Sequence, residues 1–511
     1  MDFFKKIIKQ TGGISIAALK GTLFLLMILL LGITCFVVEG IKWMFDTWPK
    51  LTMEELVYQI FAPVQGTNTD MIIECFSKCV APALILMILT LIVVLGVKKH
   101  WVKNFTAIVT CVVCGFIIIN NVEYVWKRLD ITEYLKAQST QSYYIEDNYV
   151  DPRSVNITFP EQKRNLIYIF LESMESTYAS TEVGGAYLDN YIPELTQLAF
   201  ENVNFSRDDR MGGLNVLDGA TWTMGGMVAQ TSGLPLKINL RGDYIEDDIE
   251  VLPNAWTIGD VLGEQGYKNV LMIGSDGTFA GRKQYFEKHG NYEVLDYYTA
   301  KENEWIPQDY FVFWGYEDQK LFDYAKQKLV ELSNNPQPFN FTMLTVDTHF
   351  EDGYVCDQCV DVYGNQYANV LACSSRQIMS FIQWIQQQPF YQNTTIVLVG
   401  DHLTMDSDFC NNIDSNYTRG VYNVFINAPQ NWDHIKWREG TTMDMFPTTL
   451  AALGATIDGN RLALGTNLFS GEPTLVEQQG VEQVNKGMRD NSLFYSSLAG
   501  EKVDDTAMDM K

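Results

Sequence analysis

The sequence predicts an α/β fold: N-terminal transmembrane helices followed by a domain whose mostly parallel sheet is covered by helices on both faces. Two observations predict it. Three long apolar runs fall within the first 125 residues, and from Asn165 to about Leu475 short β-rich runs alternate with helical patterns. Those β-rich runs are largely apolar, as strands buried on both faces require.

The first apolar run spans residues 14 to 41, long enough to cross roughly 30 Å of hydrocarbon. Residues 80 to 97 and 105 to 125 form two more. A buried soluble helix would explain one such run, but not three in close succession. A cleaved signal peptide fits poorly, because no small-residue cleavage site follows the first run. Lys5, Lys6 and Lys9 precede the first span, and Lys98, Lys99 and Lys103 separate the second from the third. Basic residues favour the cytoplasmic side, so the remaining chain is expected outside a cell membrane crossed several times. The loop between spans one and two, with Glu54, Glu55, Asp70 and Glu74 beside Trp43 and Trp48, suits the outer face.

Residues 126 to 164 are polar and Tyr-rich and read as a juxtamembrane linker. Strands are expected at 165–172, 268–274, 339–346, 394–400 and 422–428. Between the third and fourth, Val370, Leu371, Ile378, Phe381, Ile382 and Ile385 in residues 367 to 388 give a helical stripe. The domain organisation expected is therefore 1–125 in the membrane, 126–164 linking, 165–475 catalytic, and 476–511 a polar, poorly ordered tail.

A formal charge of -25 argues against a nucleic-acid partner, since phosphate-backbone affinity depends on Lys and Arg. An anionic substrate would need local cations working against the field of the whole protein. In open parallel sheets ligands gather outside the carboxyl ends of the strands, so those ends are the places to look for chemistry. Glu172 follows the first strand, Asp347, Thr348 and His349 the third, and Asp401 and His402 the fourth. Gly400 permits a sharp turn, after which Asp401 and His402 can offer an oxygen and a nitrogen to one cation. The competing explanation for Asp401 is a helix-capping aspartate. Thr223 precedes a Gly-rich segment that runs into a helix start. A divalent cation would favour its alkoxide, and the helix amino terminus would accept a phosphate group. A capping role for Thr221 and Thr223 is the alternative.

The segments "NLIYIFLESMES", "TWTMGGMVAQ", "VDTHF", "TTIVLVGDHLTMD", "MDMFPTTLAALGATI" and "RLALGTNLFSG" resemble, in the same order, those of the lipoteichoic acid synthase and phosphoglycerol transferase I family, within the alkaline phosphatase and sulfatase superfamily. The similarity covers about residues 150 to 475. It implies a sulfatase-like extracytoplasmic domain in which Glu172, Thr223, Asp401 and His402 hold a divalent metal, with Thr223 also the nucleophile. The metal implied is manganese, with magnesium or zinc as alternatives. His349 and Arg282 would contact a glycerol phosphate head group, with Phe279 and Lys283 competing for the place of Arg282. The resemblance further implies a phosphatidylglycerol donor, a cell-envelope polymer or glycan acceptor, and residence in the lipid bilayer. A phosphoethanolamine transferase or phosphodiesterase of the same superfamily is the alternative enzyme. A non-catalytic membrane protein binding lipid or cell-wall polymer is the alternative from another class.

Two features depart from the family pattern. Three spans are counted where four or five are frequent, and no Cys-x-Pro-x-Arg or Ser-x-Pro-x-Arg signature supplies the formylglycine of true sulfatases, which disfavours sulfate ester hydrolysis. Four of the nine cysteines, Cys356, Cys359, Cys373 and Cys410, lie beyond the spans. An oxidising exterior makes one or two disulfides their expected use, with a four-cysteine zinc site as the alternative. Glu175, Asp347 and Asp406 are left out of the site as solvated or helix-capping residues.

Overall fold

The computed structural model describes residues 16–49, 51–61, 69–237 and 250–501. They form two compact units, one of the described residues up to 51 and from 69 to 132, the other of those from 52 to 61 and from 133 onward.

Within the first unit, three described helices are long and apolar enough to cross a membrane: Phe24–Thr47, Met71–Gly96 and Trp101–Arg128. Lys5, Lys6 and Lys9 lie outside the described residues. The internal contact is small, with Met27, Ile28 and Ala107 buried against Met87, Val94 and Cys111. Side chains such as Ile33, Ile85, Leu95 and Phe116 point outward, an arrangement that is stable in hydrocarbon rather than water. Thr34 and Thr90 donate their hydroxyls to carbonyls one turn back at 2.7 Å, so neither polar group is left unsatisfied.

The second unit is built on a seven-stranded sheet. Its strands in chain order are β1 (Asn165–Leu171), β2 (Gly213–Leu214), β3 (Lys268–Ile273), β4 (Glu293–Leu295), β5 (Phe339–Leu344), β6 (Thr394–Gly400) and β7 (Val421–Ile426). Across the sheet they run β2-β7-β6-β1-β5-β3-β4. From β6 to β4 all neighbours are parallel, while β7 and β2 are antiparallel additions at one edge. The five expected strands and the long helix, observed at Gln366–Gln386, are all present. The two strands missed by sequence, β2 and β4, have two and three residues, too few for any periodicity to register.

Both faces of β1 are buried. Leu166, Tyr168 and Phe170 enter one core with Met227, Val228, Phe286 and Phe446, whereas Ile167, Ile169 and Leu171 enter the other with Leu195, Leu329, Phe381 and Ile385. Strands sealed on two sides are near-continuously apolar, and the few polar residues they carry are hydrogen-bonded, as Asn340 is to Asn269 Oδ1 and the Tyr292 hydroxyl. At the centre, Leu171 of β1 pairs with Gly400 of β6, and Phe170 with Leu344 of β5. This register brings the carboxyl ends of three parallel strands level.

The linker and tail differ from expectation. The third long helix continues to Arg128, and residues 131–139 and 144–148 are helical, with Ile145 fully buried. Beyond 475, the helices Leu475–Gln479, Val481–Arg489 and Leu493–Leu498 bury Val484, Met488, Tyr495 and Leu498. The two segments cover each other. Ser142 N–H donates to the Asn491 carbonyl at 2.8 Å, and a Cβ on Gly487 would lie 2.3 Å from the Tyr144 ring. Each helix is too short for its sparse apolar residues to form a visible period, and their partners are more than 300 positions away. Residues 502–511 of the expected tail lie outside the described residues.

Candidate functional site

The site forms where β1, β5 and β6 end. The Glu172 backbone is held by side-chain hydroxyls of the segment after β5: its N–H donates to Thr345 Oγ1 at 3.0 Å, and Thr348 Oγ1 donates to its carbonyl at 2.6 Å. Ser173 adopts a left-handed φ of +52°, a conformation uncommon outside glycine. In that conformation its N–H donates to Asp401 Oδ1 and its hydroxyl to Glu172 Oε1, both at 2.8 Å. The strained residue thus ties together the ends of two strands.

Beyond β6, Asp401 Oδ1 also accepts the His402 N–H at 2.8 Å. His402 Nδ1 donates to the Leu403 carbonyl at 2.8 Å, which turns Nε2 inward. Nε2 lies 3.3 Å from Glu172 Oε1 and 3.5 Å from Asp401 Oδ2. Thr223 opens the helix Thr223–Ser232, and its hydroxyl lies 3.3 Å from Glu172 Oε2 and 3.4 Å from His402 Nε2. Glycine at 226 is required here, because a Cβ would sit 2.2 Å from the Asp401 carbonyl oxygen. The helix can approach the end of β6 only without that carbon.

The four expected residues therefore converge. Glu172, Asp401 and His402 each offer one ligand atom, all within 4.8 Å of one another. Asp401 Oδ2 is buried and lacks a hydrogen-bond partner among the described residues, a costly state for a carboxylate unless something positive faces it. The electrostatics agree. Burial opposes a charged imidazole, yet the Asp401 and Glu172 carboxylates push His402 up to about 10. Burial and the neighbouring Glu172 push Asp401 up to about 8. An O, O, N donor set with a hydroxyl alongside fits a divalent metal.

A cleft opens from this cluster, lined by Ser275, Phe279, Arg282, Trp314 and His349 together with Glu172 and Thr223. Both expected head-group residues line it. Arg282 is 5% exposed, and its guanidinium donates to the carbonyls of Asp276 at 2.8 Å and Phe279 at 3.2 Å. Among the described residues no carboxylate forms an ion pair with it. Burial lowers its proton affinity, while the charge of Glu172 partly restores it. Phe279 packs under the guanidinium, 5.5 Å from the ring centre. Lys283 is half exposed and faces Glu287 at 3.9 Å, outside the cleft lining. His349 Nδ1 donates to the Phe350 carbonyl at 2.6 Å, and its ring lies 4.7 Å from that of Trp314.

Residues set aside by sequence have definite places. Glu175 is fully buried and accepts from Arg419 Nε at 2.9 Å, Thr177 Oγ1 at 2.7 Å and the Thr404 N–H at 2.9 Å. It braces the loop after His402 rather than facing solvent. Asp406 caps a short helix, accepting from the Phe409 N–H at 3.1 Å. Glu55, read as a charge on the outer loop, is 7% exposed and accepts the Thr221 hydroxyl at 2.5 Å. Tyr58, one turn further along the helix Met53–Phe61, donates to the Ala280 carbonyl and lies 5.5 Å from the Trp222 ring. The sequence signal available was Thr52 followed three residues later by Glu55, a capping box whose reciprocal bonds are 3.0 and 3.2 Å.

The sulfatase family matches residues 164–455. The chain belongs to the sulfatase family. Its relatives within the alkaline phosphatase superfamily include phosphoglycerol transferase I of Escherichia coli O6:K15:H31 (strain 536 / UPEC), 31% identical over 356 residues that make up 67% of this chain and 43% of that protein. The same figures hold for phosphoglycerol transferase I of Shigella boydii serotype 18. This sulfatase-family chain therefore spans less than half the length of the curated relatives it matches. Among solved structures, the lipoteichoic acid synthase LtaP from Listeria monocytogenes has a TM-score of 0.50 at 14% identity, covering 70% of this chain and 98% of that one. The integral membrane lipooligosaccharide phosphoethanolamine transferase A (EptA) from Neisseria meningitidis has a TM-score of 0.50 at 12% identity, covering 89% of this chain and 92% of that one. At these identities the structural likeness concerns the fold. The family resemblance and the sulfatase-like α/β fold expected from sequence are both met.

Proposed function

We propose that this protein is a membrane-anchored phosphoglycerol transferase that moves glycerol phosphate from phosphatidylglycerol to a cell-envelope polymer or glycan through a phospho-threonine intermediate. The observation that carries the reading is Thr223 Oγ1 at a helix amino terminus, 3.3 Å from Glu172 and 3.4 Å from His402, in the lining of a cleft that also holds the Arg282 guanidinium, which has no carboxylate partner among the described residues. The relatives named phosphoglycerol transferase I support it. The catalytic domain faces the outside of the membrane in this reading, following the lysines between the second and third spans.

Glu172, Asp401, His402 and the Thr223 hydroxyl would hold the metal, with manganese the choice the resemblance favours. When bound, the ion lowers the proton affinity of the threonine hydroxyl and neutralises charge on the transferring group. Arg282 attracts the phosphodiester into the cleft, against a net charge of -25 for the whole chain. The guanidinium is already desolvated and fixed by two carbonyls, so little reorganisation accompanies binding. His349, oriented by its bond to Phe350, would hydrogen-bond the glycerol. Thr223 Oγ1 forms a bond to phosphorus as the bond to diacylglycerol oxygen breaks, and that oxygen leaves with a proton. An acceptor hydroxyl then displaces Thr223, which regains its own.

The test is incubation of the purified full chain with glycerol-labelled phosphatidylglycerol and manganese, followed by mass spectrometry of the Thr223 peptide. Glycerophosphate on Thr223 is the expected result. Label from phosphatidylethanolamine instead would select the phosphoethanolamine transferase reading, release to water alone a phosphodiesterase, and no turnover with metal bound a binding protein.

A further inference from the structure

Away from this cleft, three of the four cysteines beyond the spans meet at one point. Cys356 Sγ lies 3.6 Å from Cys359 Sγ and 3.7 Å from Cys373 Sγ, and Cys356 and Cys373 are buried. All three sulfurs fall within 4.8 Å of one another, while Cys410 is not among them. The disulfides expected from sequence have no bonded pair among these three: Cys356, Cys359 and Cys373 are free thiols. The separations match another geometry. A tetrahedral zinc ion with Zn–S bonds of about 2.3 Å sets its sulfurs about 3.7–3.8 Å apart. A second observation favours thiolates. The Gln377 side-chain amide donates to Cys356 Sγ at 3.6 Å and to Cys373 Sγ at 3.5 Å, supplying hydrogen bonds that sulfur anions accept better than thiols.

We propose that Cys356, Cys359 and Cys373 form a zinc site that pins the loop carrying His349 to the helix Gln366–Gln386. Three protein thiolates bind the ion and release three protons to solvent. Among the described residues no fourth His, Cys, Asp or Glu atom joins the cluster, so the fourth position falls to solvent. Soft sulfur donors select zinc over manganese or magnesium, so this site and the strand-end site would not compete for one metal. The loop's role gives the site a consequence. It leaves β5 through His349, and Tyr354 stacks on Phe313 at 5.9 Å, whose ring lies 6.2 Å from His349, before Cys356 is reached. Cys373 belongs to the long helix that packs under the sheet. A metal joining them closes a loop that has no regular secondary structure of its own between residues 350 and 365.

The experiment uses the full chain in detergent, purified under reducing conditions and loaded with cobalt in place of zinc. A thiolate-to-cobalt charge-transfer band in the near ultraviolet is expected, which the oxygen and nitrogen donors of the strand-end site cannot produce. The band should vanish in the double variant Cys356→Ser, Cys373→Ser and persist in Glu172→Gln. In the unmodified zinc-loaded protein, an organomercurial should release one equivalent of zinc as the three thiols react, a readout independent of whether the variant folds. Absence of the charge-transfer band in the cobalt-loaded protein, or peptide mapping that finds Cys356 in a disulfide with Cys359 or Cys373 in protein isolated without reductant, overturns the proposal. Neither result bears on transfer by Thr223, which is read separately.

Discussion

Among the described residues of the second unit two clusters carry the donors a metal would need, and they are built in opposite ways. Glu172, Asp401 and His402 come from the ends of strands that are distant in sequence and level in space, so their meeting depends on the whole sheet. Cys356 and Cys359 share one loop, and Cys373 lies on the helix that follows it. The strand-end cluster is made of oxygen and nitrogen beside a hydroxyl and a cleft, while the cysteine cluster is made of sulfur against a helix. Topology places chemistry at the carboxyl ends of the central strands, and local spacing secures a loop that the topology leaves unsupported.

The largest effect expected is on the hydroxyl. Thr223→Ala should lower glycerophosphate transfer by on the order of a thousandfold or more, as removal of a covalent nucleophile does. Manganese binding should survive through the other three residues, and Thr223→Ser should recover part of the activity. Undiminished transfer by the alanine variant would remove Thr223 from the chemistry. The next effect concerns the metal. Glu172→Gln should weaken manganese binding, measured by calorimetry, by more than the roughly 10–100-fold typical of partners outside the ligand set. The cobalt–thiolate band should be unchanged in the same variant. A parallel loss at both clusters would mean that the substitution disrupts the fold, and the comparison would fail.

The strand-end cluster was legible in sequence because each member follows a continuous apolar run: Glu172 after "NLIYIFL", Asp401 and His402 after "TTIVLVG". Runs of that kind have one stable use, as strands covered on both faces, and the end of such a strand is where a polar side chain becomes accessible. Ser173 was not legible, since its role depends on a left-handed φ that no residue type announces. Glu55 was hidden by its position between two apolar runs, where a charge reads as solvated. Glu175 and Arg419 lie 244 positions apart and meet only once β1 and β7 are in place. The linker and tail were misread for a related reason. Tyr144 and Gly487 complement each other in shape, which composition does not record.

The loops that carry the two clusters are braced differently, and this yields a smaller effect. The strand-end loop is held by a buried ion pair: Arg419 contacts both oxygens of Glu175 and donates to the Thr404 carbonyl at 3.2 Å. Arg419→Ala leaves Glu175 charged and unmatched in the interior, at a cost of about 3–5 kcal/mol. Thermal unfolding of the detergent-solubilised protein should show the midpoint fall whatever metal is present. The His349 loop, by contrast, should lose its protection from proteolysis when zinc is stripped and recover it when zinc returns. An Arg419→Ala protein with an unchanged midpoint would show that the ion pair does not brace its loop.

The smallest effect tests whether Thr223 needs support from outside the sheet. Glu55 accepts from Thr221, two residues before Thr223, and belongs to a helix that also reaches Ala280 and Trp222 through Tyr58. Glu55→Ala leaves a Thr221 hydroxyl without its acceptor and removes the capping box, for a loss of about 1–3 kcal/mol in stability. If that contact also positions Thr223, kcat should fall with KM little changed, because the cleft residues Arg282 and His349 are untouched. Glu55→Gln keeps an oxygen for Thr221 and should restore kcat. Burial already pushes the Glu55 carboxyl above the ordinary range, so the neutral amide replaces a group whose charge is disfavoured where it sits. A glutamine variant as impaired as the alanine one would mean that the charge of Glu55, and not its hydrogen bond, acts on the site.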